Sequence, residues 1–235
     1  NLSDAEIDEL LAFLKALSAF SGSALAQLPA ETFTVRDQNL AMGNPSAATS
    51  DPSEENNYLL RKTEYSLSYN NGTRLPNWVS WHLNASWIGG AERQNNFRPD
   101  PDLPKGWFKV FPADYSKSGF DRGHMCNSGD RTRDEQSNSA TFLMTNMIPQ
   151  APQNNQQTWE QLETYSRALA HQGHELYVVS GPAGQGGTGK NGSMDKIVVK
   201  RGNQEAEIVV PAFTWKVILV LPQGMTSPKD VTADS

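Results

Sequence analysis

The stretch FDRGHMCNSGDRT, Phe120–Thr132, combines two Asp-Arg pairs, a histidine and the single cysteine of the chain. Such a density of charge and glycine is not that of a simple core strand, which is rich in apolar and β-branched residues. A histidine ring has an unperturbed pKa of about 6.5 and can accept a proton at neutral pH. His124 is therefore a candidate general base, and a structural imidazole is the alternative.

The neighbours of His124 are suited to an anion. Arg122 and Arg131 offer planar guanidinium groups that match phosphate oxygens, and Gly123 allows a ligand to approach the backbone closely. Asp121 is placed to pair with one of these arginines or to support the site. The alternative for the second charged group is a solvated cluster of surface ion pairs, formed by Asp130, Arg131 and Arg133.

A second polar group lies on a helix predicted from about Thr158 to Ala170 and closed by Gly173. One row of i, i+4 positions on this helix and its approach contains Asn155, Trp159, Glu163 and Arg167. Amide and carboxylate oxygens are ligands that Mg²⁺ and Mn²⁺ accept. The alternatives are an ordinary Glu163–Arg167 salt bridge on a wet face and core packing of Trp159.

Composition limits the classes of function. The formal net charge is −6, which argues against a broad basic surface that binds nucleic acid. Residues 89–133 carry eight Lys or Arg against six Asp or Glu, so a small positive region lies in an acidic chain. One cysteine excludes an internal disulfide framework and a cysteine-rich zinc site. The longest apolar run, Val217–Leu221, has the length of a strand, and we expect no membrane association.

The remaining segments predict an α+β domain with a mostly antiparallel sheet. Strands are predicted in YLLRKTEYSLSYN, WVSWHLNASWIG, GWFKVF, ELYVVS, KIVVK, AEIVVP and TWKVILVL, with a turn at Asn70–Gly72. The start of the chain, up to Ser18, has the spacing of an amphipathic helix with Ser3 as N-cap. The short motif Ala24–Ala26 offers an export leader as the alternative.

Three ordered blocks carry a family resemblance: DRGHMCNSGDRT, TFLMTNMIPQ and NNQQTWEQLETYSR. They resemble the signature of the DNA/RNA non-specific endonucleases, the ββα-metal nucleases, and most closely the nuclease A type. The likeness covers roughly residues 40–231. It implies a leader at 1–40 outside the nuclease domain and a domain at 41–235. We expect that domain to be truncated at its C-terminal end, because members of the family usually continue past the TWKVILVL strand.

The resemblance also implies roles for individual residues. His124 matches the general base of the DRGH motif, and Asn155 matches the asparagine that holds a single Mg²⁺, for which Mn²⁺ or another divalent ion can substitute. Glu163 matches the carboxylate that supports the water shell of the metal. The arginines that stabilise phosphate charge match Arg93 and Arg167, and Asp121 and Arg122 fill the first two positions of the motif.

The implied activity is hydrolysis of phosphodiester bonds in DNA and RNA with low sequence specificity, because phosphate and sugar contacts carry no direct sequence readout. The resemblance further implies a secreted or periplasmic location, a monomer, and a protein inhibitor as a candidate partner.

Two rival functions come from other classes. Gly184–Lys190 matches the GxxxxGK pattern of a nucleotide-binding loop, but Asn191 replaces the Ser or Thr that contacts Mg²⁺, and a hairpin turn is the simpler prediction. A non-catalytic binding module with the nuclease fold is the other rival. The HQGH spacing of His171 and His174 is expected to be a surface pair at the end of the helix.

Overall fold

A five-stranded antiparallel sheet organises the chain in the computed structural model, which describes residues 39–225 and 227–228. The strands of this part of the chain are β1 Tyr58–Arg61, β2 Ser66–Asn70, β3 Leu75–Leu83, β4 Asp121–His124, β5 Met147–Gln150, β6 Leu176–Ala183, β7 Gly187–Gly189, β8 Gly192–Met194, β9 Lys196–Arg201, β10 Gln204–Val209 and β11 Phe213–Val220. The large sheet has the order β1-β2-β3-β6-β11.

Local turn chemistry fixes the first three strands. The predicted turn is confirmed, since the Asn70 side chain accepts hydrogen bonds from the backbone N–H groups of Gly72 and Thr73 and reverses the chain between β2 and β3. YLLRKTEYSLSYN is two strands rather than one. The chain turns between them where the Lys62 N–H donates to the Tyr65 carbonyl.

Strand β3 separates the two layers of the core. The side chains of Val79, Trp81 and Leu83 point to one face, because alternate residues of a strand share a face, and they join the large apolar cluster. Trp78 faces the other way and packs in a small cluster with Leu59. The large cluster also contains the buried parts of the motif segment, which therefore lies against the sheet.

The large cluster is covered by a ββα unit. β4 pairs antiparallel with β5, from Asp121 opposite Gln150 to His124 opposite Met147. The chain then forms a π-helical turn at Asn154–Trp159, which runs into the long helix Glu160–His171. The long helix ends as predicted at Gly173, whose φ of 90° is readily adopted by glycine. A short helix, Glu135–Ala140, lies between β4 and β5.

One strand prediction is corrected by the structure, and one turn prediction is confirmed. GWFKVF forms no strand in the described structure, because its aromatic side chains anchor an irregular segment: Trp107 packs edge-on to Tyr58, and Phe108 lies beneath the guanidinium of Arg201. Gly184–Lys190 leads into the hairpin of β7 and β8 rather than into a helix, so the hairpin interpretation is confirmed.

The predictions for the N-terminal helix and the export leader fall in residues 1–38, outside the described residues. Within the part of the chain that the structure describes, no helix has the length and apolar character that a membrane span requires.

Candidate active site

The ββα unit gathers most of the predicted site residues around one cavity of about 420 Å³. Six of them line it: Arg93, Arg122, His124, Asn155, Glu163 and Arg167. The seventh, Asp121, lines an adjoining cavity of about 400 Å³. Residues that are up to 74 positions apart in the chain therefore share one site. The motif segment and the long helix therefore contribute to the same cavity.

His124 occupies the floor of this catalytic cavity, with only 8% of its surface exposed. Its Nε2 atom is buried and has no hydrogen-bond partner among the described residues. Burial lowers the pKa of the imidazole to about 3, and the positive charges of Arg93 and Arg122 act in the same direction. The ring is therefore neutral near pH 7.

An aromatic platform, formed by Phe97 and Phe142, holds three of the predicted site residues. The two rings meet edge to face with centroids 4.8 Å apart. The ring centroid of His124 lies 4.9 Å from that of Phe142 and 5.5 Å from that of Phe97. The guanidinium of Arg122 lies 4.3 Å from the Phe97 centroid, and that of Arg93 lies 4.9 Å from the Phe142 centroid.

This platform keeps positive charge available to a ligand. No acceptor among residues 39–225 and 227–228 takes a hydrogen bond from the Arg122 guanidinium, so its donors can serve a phosphate. Arg93 is partly committed, since its Nε donates to Asn95 and its Nη1 to Ser128. A ring face orients a guanidinium without occupying its N–H groups, whereas a carboxylate partner would occupy them.

Asn155 is oriented by Asp121. The Asp121 Oδ2 atom accepts hydrogen bonds from Asn155 Nδ2 at 3.0 Å and from Gln156 Nε2 at 2.8 Å. A carboxylate only accepts, so the amide nitrogen of Asn155 must face it and Oδ1 is left for another partner. The structure shows no pairing of Asp121 with an arginine, and its contacts with the two amides of the π-helical turn fit the alternative of a supporting role.

Glu163 pairs with a buried lysine that sequence reasoning did not single out. Its Oε1 lies 3.6 Å from Nζ of Lys216, whose side chain is 3% exposed. The ammonium also lies 4.3 Å from the ring centroid of Trp159. Burial raises the pKa of Glu163 to about 7, and the charge of Lys216 opposes that rise. Trp159 is buried as predicted.

Arg167 joins the helix to the motif rather than to Glu163. Its Nη1 donates to Asn127 Oδ1 at 3.1 Å and lies 3.4 Å from Asp130 Oδ1. The alternative of an isolated Glu163–Arg167 salt bridge is therefore not what the structure contains. Arg167 borders the cavity, where a phosphate would meet its guanidinium.

Arg131 is a structural residue, and its predicted phosphate contact was wrong. The side chain is fully buried and donates to the backbone carbonyl groups of Glu64, His82 and Asp130. Its guanidinium also lies 4.1 Å from the Trp87 ring. The surface-cluster alternative fails for Asp130 and Arg131, which are buried, whereas Arg133 is exposed and pairs with Asp134. The side chain of Gln150 fills the space beside Gly123, so that no ligand can approach the backbone there.

The donor set fits a hard divalent cation with few protein ligands. No group of three or more His, Cys, Asp or Glu side chains able to hold a metal occurs in the described part of the chain. Mg²⁺ does not need such a group, since it usually keeps several waters and takes one or two protein oxygens. The free Oδ1 of Asn155 and the carboxylate of Glu163 line the same cavity and supply that chemistry.

The comparison with known proteins agrees with this geometry. The family model of the DNA/RNA non-specific endonucleases matches residues 42–232. A nuclease of Nostoc sp. is 48% identical over 197 residues, which are 84% of this chain and 67% of that protein. The mitochondrial nuclease EXOG of Xenopus laevis is 33% identical over 94% of this chain and 62% of its own length.

The fold is shared as well. A crystal structure of the EndoG/EndoGI complex superposes with a TM-score of 0.63 and 26% identity, over 86% of this chain and 84% of that one. The fold and site define a ββα-metal nuclease. The chain belongs to the DNA/RNA non-specific endonuclease family.

Several residues of the site were missed by sequence reasoning. Phe97 and Phe142 look like ordinary core aromatics in the sequence, and nothing in their spacing marks them as a platform. Lys216 did carry a signal, because it is a lone charge in the apolar strand TWKVILVL. A buried charge needs a partner, and the structure supplies Glu163.

Proposed function

We propose that this chain is a divalent-metal-dependent endonuclease that hydrolyses phosphodiester bonds in DNA and RNA with His124 as general base. The observation that carries the proposal is the neutral imidazole of His124 in the same cavity as the platform arginines and Asn155. A base, two cationic donors and a metal-ligand oxygen are the groups that hydrolysis of a phosphodiester requires.

In this mechanism the imidazole of His124 takes a proton from a water molecule, and the water oxygen attacks phosphorus. The bond from phosphorus to the 3′ oxygen breaks, and the leaving oxygen takes up a proton from solvent. Arg93, Arg122 and Arg167 neutralise charge on the phosphate oxygens. Asn155 and Glu163 would hold Mg²⁺, which when bound stabilises charge on the phosphate and the leaving oxygen.

The hydrogen-bond donors that line the cavity account for the proposed low sequence specificity. The cavity presents guanidinium and amide groups suited to phosphate and sugar, and such contacts carry no direct base readout. We also propose the secreted or periplasmic location and the monomeric state implied by the resemblance. The EndoG/EndoGI complex supports a protein inhibitor as a further candidate partner.

Nicking of a supercoiled plasmid tests the activity. Wild type should convert the plasmid in Mg²⁺ and not in EDTA, and His124→Ala should lose at least about 100-fold in rate, as expected for removal of a general base. His171→Ala, an exposed histidine at the end of the long helix, is the matched control and should retain full activity. Equal nicking by wild type and His124→Ala would rule out the assigned base, and binding without cleavage would favour the non-catalytic module.

The metal ligand is tested without turnover. Isothermal titration of Mn²⁺ into the metal-free protein should show one site that is weakened in Asn155→Ala. Asn154→Ala is the matched control, since that neighbouring amide faces Gln150 rather than the catalytic cavity. Unchanged Mn²⁺ affinity in Asn155→Ala would remove Asn155 from the proposal.

A further inference from the structure

Asp130 is a buried carboxylate to which the proposed mechanism gives no role. It ends the short turn Ser128–Asp130, which follows β4, and it is 1% exposed. A buried carboxylate is costly unless it is paired and hydrogen-bonded. Among the described residues, Arg167 is the only Lys or Arg with a nitrogen within 4 Å of the Asp130 carboxylate oxygens. The charge of Asp130 is therefore committed to an arginine that borders the catalytic cavity.

Both oxygens of the Asp130 carboxylate are held by the fold. Oδ2 accepts a hydrogen bond at 2.9 Å from Nε1 of Trp81, a buried residue of β3. Oδ1 accepts from Nη1 of Arg167 at 3.4 Å. The side-chain oxygen of Asn127 accepts from the Asp130 N–H at 3.0 Å and from the same Nη1 at 3.1 Å. The acceptors of Nη1 are thus tied to the sheet and to the turn, which fixes where the guanidinium lies.

Gly129 leaves room for the guanidinium. A Cβ atom at this position would lie 2.8 Å from Nη1 and 3.1 Å from Cζ of Arg167. These distances are too short, because non-bonded contacts of carbon have their optimum at about 3.5 to 4.0 Å. The guanidinium can therefore occupy its place only because residue 129 has no side chain. Asn127, Gly129 and Asp130 together form an arginine seat.

The arginine seat leaves part of the guanidinium of Arg167 available. A guanidinium has five N–H donors. Nη1 donates to the seat, and Nη2 donates to Thr164 Oγ1 at 3.0 Å. The Nε–H and the second N–H of Nη2 have no partner in the part of the chain that the structure describes. Arg93 and Arg122 are oriented by ring faces, whereas Arg167 depends on the seat for its orientation.

We propose that Asp130 is a positioning residue for phosphodiester hydrolysis, which acts through Arg167. The arginine seat holds the guanidinium by Nη1, so that the Nε–H and the free N–H of Nη2 are presented to a phosphate in the catalytic cavity. This role rests on the proposed function. Position matters because a misplacement of about 1 Å can lower a rate by up to about 100-fold.

A double-mutant cycle tests whether Asp130 acts through Arg167. Asp130→Asn keeps the shape and an oxygen for Trp81 but removes the charge that holds the guanidinium. In Mg²⁺ it should lower kcat about tenfold through misplacement of Arg167. KM should not rise, because a negative charge near the bound phosphate is lost as well. In the Arg167→Ala background the same substitution should have no further effect, since residues that act through one contact are not additive.

The control of this cycle is Asp134→Asn. Asp134 is an exposed carboxylate that pairs with Arg133, and its substitution should leave kcat and KM at their wild-type values in both backgrounds. An equal loss from Asp130→Asn in both backgrounds, or no loss in the wild-type background, would overturn the positioning role.

A second variant perturbs the seat without changing its charge. Gly129→Ala places a methyl group against the end of a flexible side chain, so the guanidinium of Arg167 should move while the fold is kept. We expect a loss of kcat in the wild-type background and none in Arg167→Ala, with circular dichroism as the check on folding. Gly90→Ala is the matched control, since a Cβ atom there meets no atom within 4 Å. Full activity of Gly129→Ala would contradict the proposal.

NMR of the arginine guanidinium groups separates failure of the seat from failure of the proposed function. In EDTA, wild type should give two separate Nη signals that are absent in Arg167→Ala, because the seat hinders rotation of the guanidinium about its Nε–Cζ bond. This rotation should be measurably faster in Asp130→Asn and Gly129→Ala. Faster rotation in both variants without wild-type cleavage would keep the seat and refute the nuclease activity. Wild-type cleavage with unchanged rotation in both variants would refute the seat.

Discussion

The burial of His124 makes the stability of the protein depend on pH. Its folded-state pKa is about 3, while an unfolded histidine titrates at about 6.5. Between these two values the unfolded chain binds the proton and the folded chain does not. The free energy of unfolding should therefore be unaffected by His124 above about pH 6.5 and should fall progressively as the pH is lowered towards 3.

The size of this effect follows from the two pKa values. At pH 5 the unfolded ring is almost fully protonated and the folded ring almost fully neutral, which costs the folded state about 2 kcal/mol relative to pH 8. The figure is insensitive to the folded-state value, because a folded pKa anywhere below about 4 leaves the ring neutral at pH 5. His124→Asn removes the titrating ring and should remove this loss.

The assay is urea unfolding in EDTA at pH 8 and pH 5, followed by circular dichroism. The difference in unfolding free energy between the two pH values should be about 2 kcal/mol smaller in His124→Asn than in wild type. His171→Asn, at an exposed position, should follow wild type. His82, whose pKa burial also lowers, contributes equally to all three proteins and cancels. If the unfolding free energies of wild type and His124→Asn fell equally between pH 8 and pH 5, the assignment of a buried, neutral imidazole to His124 would be refuted.

Three other substitutions test the surroundings of the site. Arg131→Met orphans buried backbone carbonyl groups and should cost at least about 3 kcal/mol of unfolding free energy, measured by urea titration. Gly123→Ala places a Cβ atom 2.6 Å from the Cβ of Gln150, and overpacking of about 1 to 3 kcal/mol should lower the midpoint of thermal unfolding. Lys216→Met removes the cation that lies 3.6 Å from Glu163, and it should lower kcat by at least about tenfold with KM little changed. Steady-state kinetics at saturating Mg²⁺ measures this effect, and circular dichroism checks that the variant is folded.

The sequence predicted those parts of the fold whose signals are local. Turn residues and apolar alternation located β2, β3, β6, β9, β10 and β11, and the glycine after the long helix marked its end. β4 and β5 were not predicted, because a four-residue strand that carries charge and glycine has no apolar alternation. The π-helical turn was also missed, and its residues were placed on a regular i, i+4 row.

The sequence predicted which residues belong to the candidate site better than it predicted their contacts. The residues that line the catalytic cavity came from motif positions, but their contacts differ from the pairs considered in the sequence. Asp121 accepts from amides rather than from an arginine, and Glu163 pairs with Lys216 rather than with Arg167. Pairing partners come from elements that are distant in the sequence, so spacing along the chain holds no information about them. The burial of Arg131 has the same origin, since β3 and the segment before β2 supply its acceptors.

The aromatic platform explains how an acidic protein presents cations to a polyanion. An arginine held by a carboxylate brings its own counter-charge, which opposes a phosphate at the same place. Phe97 and Phe142 hold Arg122 and Arg93 through their ring faces and add no negative charge. The same two rings bury His124 and keep it neutral beside two cations. Loss of either ring should therefore damage the base and the phosphate site together, although neither ring is capable of proton transfer.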